Sequence, residues 1–422
     1  MRNTTRITNA SIESAGLPKV PKQVIAEYIW NGFDAKASSI SIDISSNILG
    51  FIEQIRISDD GEGIAPKLLQ QSFGNFLDSL KKDGPKRTSY TRGKKGKGRF
   101  SFSLFASRAT WLTVVEQDDQ FYEYHISIDA ANKAAYDYSE PKASRAKKTG
   151  TTVMLEGIFG LNNAVLESAD FLDFLAQEFG WYLHLNQDKG YNIYINGQAL
   201  AYAHIIEESE SSPLTIYSPS EDSFQFQVDY IRWKFPIGDR YYYYFLDSAH
   251  TEVAKVLSSF NNNAIDFHHS VFVRSTFFDQ FEQSDMTLAN EGNLFSDKDQ
   301  QVVYRKLMAE LRDLMARKQK KYLREHAVDS KLQELVSKDL LPSYSETPKD
   351  QQRKKTLLEL IQELYLADPR AFVGIKADLV RSYFGFIDLL LQSNRKVDIL
   401  PIIEQAMSLT DKERDRIKLL LA

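Results

Sequence analysis

Apolar positions up to about Asn186 recur with both helical and strand spacing. Between Pro18 and Ala35 they recur every three to four residues, which predicts a loop followed by an amphipathic helix. Ser39 to Ser45 alternates isoleucine with polar residues, and the alternation resumes from Phe51 to Ser58 after Gly50, which predicts an antiparallel hairpin. Later segments predict a helix, three strands and a closing helix: Phe100 to Arg108, Thr110 to Glu116, Phe121 to Ile128, Thr151 to Glu156 and Ala164 to Leu185.

The rest of the chain changes character at Leu341-Pro342. Before that point, Tyr191 to Ile195 is expected to start a second αβ region that ends in one long helix, Asp297 to Arg324. Strands are predicted within it, with a turn at Gly238-Asp239: Phe224 to Phe235, Tyr241 to Asp247 and Ile265 to Arg274. After Pro342 only helices are predicted: Gln352 to Tyr365, Ile375 to Ser393, Val397 to Ser408 and Asp411 to Leu421.

Composition narrows the class of protein. The chain has 422 residues, 43% of them hydrophobic, which suits two or three domains with cores of their own. It contains no cysteine, which excludes a disulfide framework, a thiolate nucleophile, a cysteine-bearing zinc site and an iron–sulfur cluster. The net charge of -5 means that any contact with a polyanion must be local. A polar start and the lack of a long apolar run favour a soluble, cytoplasmic protein without a membrane span.

A first chemical motif lies on the helix predicted before Ala35. Glu27 and Asn31 are four residues apart, so their side chains share one helix face, and Asp34 follows. A carboxylate can deprotonate a water, and a neutral amide oxygen suits Mg²⁺. Alone, this pair is as well explained by a solvated polar helix face.

A second motif follows a predicted strand. Asp59-Asp60-Gly61-Glu62-Gly63-Ile64 places carboxylates at a strand end next to two glycines that let backbone approach a flat ligand. A carboxylate here can accept a hydrogen bond from an exocyclic amine such as that of adenine. A plain turn is the alternative, since the acids required for a calcium loop are missing.

A third motif closes a long stretch without periodicity, Gly74 to Gly98. Glycines and lysines are interspersed just before a helix that is predicted to start at Arg99: Gly93, Lys94, Lys95, Gly96, Lys97 and Gly98. Glycine backbone amides and a helix N-terminus can together form a phosphate cradle. The pattern is neither a Walker loop nor a dinucleotide fingerprint, and a flexible basic loop is the alternative.

The order and spacing of the three motifs resemble the GHKL ATPase superfamily, which includes gyrase, heat-shock chaperone ATPases, histidine kinases, MutL and Microrchidia proteins. The resemblance covers about residues 10 to 185 and is closest to the MutL- and Microrchidia-like branch. It implies an α+β fold: a Bergerat-type α/β sandwich at 1–187, a transducer-like αβ domain at 188–330 and a helical interaction domain at 331–422.

The same resemblance implies an ATPase that uses ATP and Mg²⁺. Glu27 matches the general base, Asn31 the Mg²⁺ ligand and Asp59 the adenine-binding carboxylate. Thr149-Gly150-Thr151 resembles a further family motif, in which Thr151 supports the adenine end. The remaining residues expected to bind ATP are Asp34, Gly61, Gly63, Ile64, Gly93, Lys95, Gly96, Lys97, Gly98 and Arg99.

The segments before and after the motifs indicate which branch of the superfamily the chain resembles. Histidine kinases place a helical hairpin with a phospho-accepting histidine before the ATP domain, whereas about 20 residues without histidine precede this motif. His268-His269 lies in a predicted strand and is interpreted as structural. In the transducer-bearing relatives a lysine or arginine contacts the γ-phosphate, and the candidates for this role are Arg274 and Lys298.

Local charge bears on the partners. Lys81 to Arg99 holds nine basic residues and one acid, hence +8, and Arg305 to Arg324 holds eight basic residues against two acids. The first run favours a second role in DNA contact, with a solvated mobile loop as the alternative, and the second run suits either a stripe that faces DNA or an ordinary soluble surface. The resemblance implies an ATP-driven homodimeric clamp or switch, and duplex DNA is the expected partner, in bacterial (antiviral) defence or repair. A chaperone-like or regulatory ATPase acting on a protein is the alternative. The last residues, Lys418 to Ala422, have a helical pattern without a cap, so a longer natural protein is also expected.

Overall fold

The computed structural model describes residues 9–14, 17–18, 20–70, 73, 98–237, 241–248, 250, 252–258, 265–279 and 298–422. Nearly all of the expected loop from Gly74 to Gly98 lies outside these residues, as does the predicted turn at Gly238-Asp239. Four expected phosphate-binding residues also lie outside them: Gly93, Lys95, Gly96 and Lys97.

A nine-stranded sheet organises the first part of the chain. Its strand order is β5-β4-β3-β7-β2-β1-β8-β9, with β6 pairing β4. All pairs are antiparallel except β1 and β8. The strands are β1 Ser39–Ser46, β2 Ile52–Asp59, β3 Ala106–Gln117, β4 Gln120–Asp129, β5 Asp137–Tyr138, β6 Lys142–Ala143, β7 Gly150–Ile158, β8 Asn192–Ile195 and β9 Gln198–Ala199.

Four helices accompany this sheet: α1 Asn9–Ser14, α2 Pro21–Asp34, α3 Asn163–Leu166 and α4 Ala169–Leu185. The predicted helices from Pro18 and Ala164 correspond to α2 and to the α3–α4 pair. Helices α2 and α4 pack on each other through aromatic rings, with Trp30 4.7 Å from Phe179 and Phe33 4.8 Å from Tyr182, measured between ring centroids. The apolar face of α2 thus lies in the core, while its polar residues face away from it.

Two predictions in this region need correction. The segment from Phe100 was expected to be a helix to Arg108, but a 3₁₀ helix spans Gly98–Leu104 and β3 begins at Ala106. The strand prevails because residues from Ala106 onward pair with β7 and, from Arg108, with β4 as well. Tyr191 to Ile195 was expected to open the second region, but Asn192–Ile195 pairs with β1 and so extends the first sheet.

A five-stranded sheet follows, with the order β10-β11-β14-β12-β13. Its strands are β10 Ile206–Tyr217, β11 Ser223–Trp233, β12 Tyr242–Leu246, β13 Glu252–Leu257 and β14 His269–Arg274. Strands β10 and β13 were not predicted, because β10 is rich in exposed serine and glutamate and β13 is short. The strand expected from Ile265 begins only at His269.

The two sheets share part of one core. Trp181 of α4 stacks on Phe272 of β14, with ring centroids 5.0 Å apart and planes 4° apart. Trp233 and Tyr244 of the second sheet also belong to the apolar cluster built on the first. The first sheet with its helices and the second sheet are therefore joined by packed aromatic side chains.

Helices form the remainder. They are α5 Lys298–Tyr322, a π-helical turn Leu323–Ala327, α6 Val328–Ser337, α7 Pro348–Ala367, α8 Ala377–Gln392, α9 Ile399–Ala406 and α10 Asp411–Leu421. Leucines of α5 pack against the second sheet, and Val328 of α6 and Tyr365 and Leu366 of α7 join the same cluster. The other buried apolar residues of α6 to α10 form a second cluster. The helix that was predicted to end at Arg324 instead continues through the π-helical turn into α6, since the three segments follow one another without a gap. Within the described residues, none of the helices combines the length and apolar character needed to span a bilayer.

Candidate ATP-binding site

Asp59 ends β2 beside the first turn of β7. Its Oδ1 accepts hydrogen bonds from the backbone N–H of Gly61 at 2.9 Å and of Thr151 at 3.3 Å. Burial raises the pKa of this carboxyl, and the two backbone donors only partly offset that effect. Neither of these two contacts uses Oδ2, so a desolvated carboxylate oxygen is available for an amine donor.

Asp60 has a different role from Asp59. Its carboxylate accepts from the backbone N–H groups of Ser38 and Ser39, both at 2.8 Å, and from the Ser38 hydroxyl at 2.9 Å. These bonds fix the connection between α2 and β1 against the end of β2. Asp60 therefore positions the motif, and Asp59 is the carboxylate free to face a ligand.

Close backbone packing explains the glycines after Asp59. Gly63 has a φ of 73°, and a Cβ there would lie 2.3 Å from the Val114 carbonyl oxygen. A Cβ at Gly61 would lie 2.6 Å from the Ala35 carbonyl oxygen. Larger residues at either position would push the motif away from α2 and β3.

Two threonine hydroxyls line the neighbouring strands. Thr113 is 1% exposed, and its Oγ1 lies 3.2 Å from Oγ1 of Thr151 and accepts from the backbone N–H of Ile64 at 2.8 Å. The Ile64 carbonyl in turn accepts from the Tyr124 hydroxyl at 2.7 Å. The predicted residues Ile64 and Thr151 are thus brought together with Asp59, and Thr113 was missed because an isolated strand threonine gives no sequence signal.

Glu27 lies in the middle of α2, on the same face as Asn31. The buried Ser101 donates its hydroxyl to Oε2 of Glu27 at 2.8 Å, which orients the carboxylate. Asn31 is exposed, one turn further along the helix. Sequence reasoning missed Ser101, although its place directly after Gly98-Arg99-Phe100 is the signal that could have found it.

Helix α2 approaches the Asp59 motif through Gly32. A Cβ at Gly32 would lie 3.1 Å from Cβ of Asp59 and 2.9 Å from Cδ1 of Ile40. The helix that carries Glu27 and Asn31 is therefore in direct contact with the strand end that carries the candidate adenine ligand. The first and second chemical motifs, far apart in sequence, therefore lie against each other in the fold.

The other expected ATP-binding residues have differing surroundings. Asp34, at the C-terminal end of α2, is half-buried, and Gly98 begins the 3₁₀ helix. The guanidinium of Arg99 lies 4.5 Å from the centroid of the Phe100 ring, and burial lowers its pKa to about 10. It remains a cation at neutral pH.

The two γ-phosphate candidates lie in the second region. Arg274 ends β14; its Nε donates to Asp229 at 3.1 Å, and its Nη1 is 3.3 Å from His250 Nε2. Nδ1 of His250 lies 3.1 Å from the Asn186 side-chain oxygen, and burial lowers the His250 pKa to about 4. Arg274 thus belongs to a polar joint between the two sheets. Lys298 is exposed at the start of α5.

The histidine pair belongs to the second sheet's packing. His269 is buried, shares a hydrogen bond of 2.8 Å with Ser258, and has its pKa lowered by burial to about 4. His268 shares a hydrogen bond with the Tyr241 hydroxyl. These contacts support the structural interpretation of His268-His269.

The donor set fits a magnesium ion that is held mainly by phosphate and water. Among the described residues, no group of three or more histidine or acidic side chains could hold a metal. The exposed Asn31 offers a hard, uncharged amide oxygen one helix turn from the Glu27 carboxylate that Ser101 orients. Such a site suits Mg²⁺, which keeps several waters and binds through substrate phosphates.

An antiparallel sandwich with a polar helix face, a glycine-flanked aspartate at a strand end and a buried threonine pair defines a nucleotide-binding domain of the Bergerat type. Comparison with protein families agrees: residues 19–154 match the family described as "Histidine kinase-, DNA gyrase B-, and HSP90-like ATPase". The chain therefore contains a GHKL ATPase domain, followed by a second β-sheet region and a helical region.

Solved structures with a similar fold include the Aquifex aeolicus MutL ATPase domain complexed with ADP. That match has 13% identity and a TM-score of 0.33, and covers 61% of this chain and 92% of the other. The ATPase region of Saccharomyces cerevisiae topoisomerase II matches with 14% identity and a TM-score of 0.36, covering 60% of this chain and 72% of the other. No curated protein sequence matches the chain significantly.

Proposed function

We propose that the protein is a Mg²⁺-dependent ATPase whose nucleotide cycle operates a homodimeric clamp or switch on DNA. The observation that carries the catalytic part is the Glu27 carboxylate, oriented by buried Ser101 on the helix that also presents Asn31. Hydrolysis needs a positioned base, and helix α2 presents the Glu27 carboxylate one turn from the Asn31 amide.

Each residue has one task in this proposal. Oδ2 of Asp59 accepts a hydrogen bond from the exocyclic amine of adenine, while Thr113 and Thr151 shape the adjoining wall. Glu27 takes a proton from the attacking water. Asn31 holds Mg²⁺, which, when bound, offsets the negative charge of the phosphates.

The clamp part of the proposal is supported by the charge and composition of the segment that includes the third motif. The segment Lys81 to Arg99 carries a net charge of +8 and includes the glycines that would bind phosphate through backbone amides. In our proposal ATP binding brings this segment over the phosphates, two copies then associate through their ATP domains, and hydrolysis releases them. Nucleotide drives this change only through contacts that differ between the two states.

The first experiment tests the base. We expect Glu27→Gln to lower the rate of phosphate release by about 10²- to 10⁴-fold, because the amide cannot accept the proton. ATP binding, measured by fluorescent-nucleotide titration, should persist. Glu53→Gln is the matched control, since Glu53 is an exposed glutamate on β2. Hydrolysis at the unmodified rate in Glu27→Gln would show that the base is another group.

The second experiment tests the partner. Phosphate release is measured with and without duplex DNA at a low and a higher salt concentration. Stimulation that fades with salt supports a DNA-linked ATPase, because phosphate contacts release counterions. No response to DNA at either salt concentration contradicts the DNA link and favours a protein client.

A further inference from the structure

A basic groove lies where the end of α5 meets the start of α10, far along the chain from the ATP motifs. It has a volume of about 790 Å³. Five cationic side chains line it: Arg317, Lys320, Lys321, Arg324 and Lys412. We propose that this groove binds the phosphodiester backbone of duplex DNA; this inference rests on the DNA-linked function proposed above and names the surface responsible.

Helix geometry places four of the cations in one row. Position 317 precedes 320 and 321 by three and four residues, and position 324 follows them by four and three, so all four share one helix face over about 10 Å. Arg324 belongs to the π-helical turn that continues α5. Lys412 faces them from the first turn of α10. The groove therefore presents positive charge from two walls to a single ligand.

An ion pair joins the two walls of the groove. Lys320 Nζ lies 2.6 Å from a carboxylate oxygen of the buried Glu413, whose other oxygen accepts from the backbone N–H and hydroxyl of Thr410 at 2.8 and 2.7 Å. Burial opposes ionisation of Glu413, but the Lys320 and Thr410 bonds hold its pKa below the usual value. The start of α10 is thereby anchored to α5.

Three of the cations are available to pair with a ligand. Arg317, Arg324 and Lys412 are exposed and form no ion pair with any residue that the structure describes. The groove also contains two acids, Glu325 and Asp411. Asp411 is paired with Arg414 at 2.7 Å, so the balance of the groove remains positive.

The lining favours a nucleic-acid backbone over a free nucleotide. Besides the charged residues, the only other described side chain in it is Thr410, so no aromatic or aliphatic group is present to hold a base. Small-molecule sites are mostly apolar, and single-strand sites stack bases on aromatic rings. A groove with an excess of cations and no group that stacks on a base suits the phosphates of a nucleic acid. A duplex presents these phosphates while it keeps its bases stacked inside.

The test uses the full chain and a fluorescein-labelled duplex of mixed sequence, with anisotropy measured across a salt series. The variant is Arg317→Gln/Arg324→Gln/Lys412→Gln. We expect at least a tenfold loss of affinity and a salt slope shallower by about 2.7, because each phosphate contact contributes about 0.9. ATP hydrolysis without DNA should stay unchanged.

A triple variant with the same change in net charge is the control. Arg305→Gln/Arg312→Gln/Lys355→Gln removes three exposed cations from α5 and α7 outside the groove. We expect it to bind the duplex with nearly unmodified affinity. Equal losses in both triple variants would overturn the groove and attribute binding to overall charge.

The remaining outcomes separate the groove from the proposed function. If the unmodified chain binds duplex and the groove variant binds equally well, the groove assignment is wrong while the DNA link stands. If the unmodified chain binds no duplex at low salt, both fail. Tighter binding of a single strand of the same sequence would overturn the assignment to duplex.

Discussion

The ATP-binding site and the basic groove are built on opposite principles. Around Asp59 the shape is set by backbone: two glycines fit where a Cβ would lie within 2.6 Å of a carbonyl oxygen, and hydroxyl groups are buried. In the groove, long charged side chains form most of the lining. In our proposals the first site holds a small ligand in a single orientation, whereas the groove holds a polymer in many registers. Single substitutions should therefore act strongly at the first site and weakly at the second.

The largest effect is expected from backbone crowding at Gly63. Gly63→Ala places a Cβ at 2.3 Å from the Val114 oxygen and should cost about 3 kcal/mol of unfolding free energy and most of the ATP affinity. Gly50→Ala is the matched control, since Gly50 has a φ of 80° but nothing lies within 4 Å of its Cβ position. It should cost about 1 kcal/mol. Equal costs in urea denaturation would contradict the argument from close approach.

A smaller effect is expected from the hydroxyl that orients Glu27. Ser101→Ala should lower kcat about tenfold with little change in KM, because the base loses its orientation while ATP contacts remain. Ser103→Ala is the control, because it removes a hydroxyl from the same 3₁₀ helix. Among the described residues, that hydroxyl donates to the nearby Phe100 carbonyl at 2.9 Å. Steady-state kinetics should leave Ser103→Ala close to the unmodified enzyme. A loss confined to KM would mean that Ser101 acts on binding instead.

The smallest effect is expected from a single charge in the groove. Arg324→Gln should weaken duplex binding only a few-fold and flatten the salt slope by about 0.9, since the other cations remain. Its unfolding free energy should change by less than about 0.5 kcal/mol, as for most exposed positions. Complete loss of binding in this variant would break the comparison, because the groove would then depend on one dominant residue.

Local spacing was enough to predict the parts of the ATP site that lie close in sequence. Glu27 and Asn31 share a helix face by their spacing alone, and Asp59 ends a strand whose alternation is visible from Phe51. The family match at residues 19–154 and the two-sheet architecture confirm the superfamily and the α+β class. The roles of the individual residues remain predictions.

Contacts between distant segments were beyond the sequence pattern. The hydroxyl of Ser101 meets Glu27 from 74 residues away, and Thr113 meets Thr151 across a strand pair. The pairing of Asn192–Ile195 with β1 depends on α4 returning the chain to the sheet, which no local signal records. The groove likewise combines α5 with α10, so the basic run at Arg305 to Arg324 was visible but its second wall was not.

The first strand of the second sheet bears on how copies of the chain associate. Strand β10 is twelve residues long and leaves most of its side chains exposed, and among the strands that the structure describes it pairs only with β11. Pro213 lacks an N–H to donate, and Glu207 adds an exposed negative charge to the same strand, whereas Glu208 and Glu210 are paired with Lys318. Such an edge resists the addition of a strand from another molecule. This long strand can thus lie at the edge of its sheet without becoming a template for aggregation.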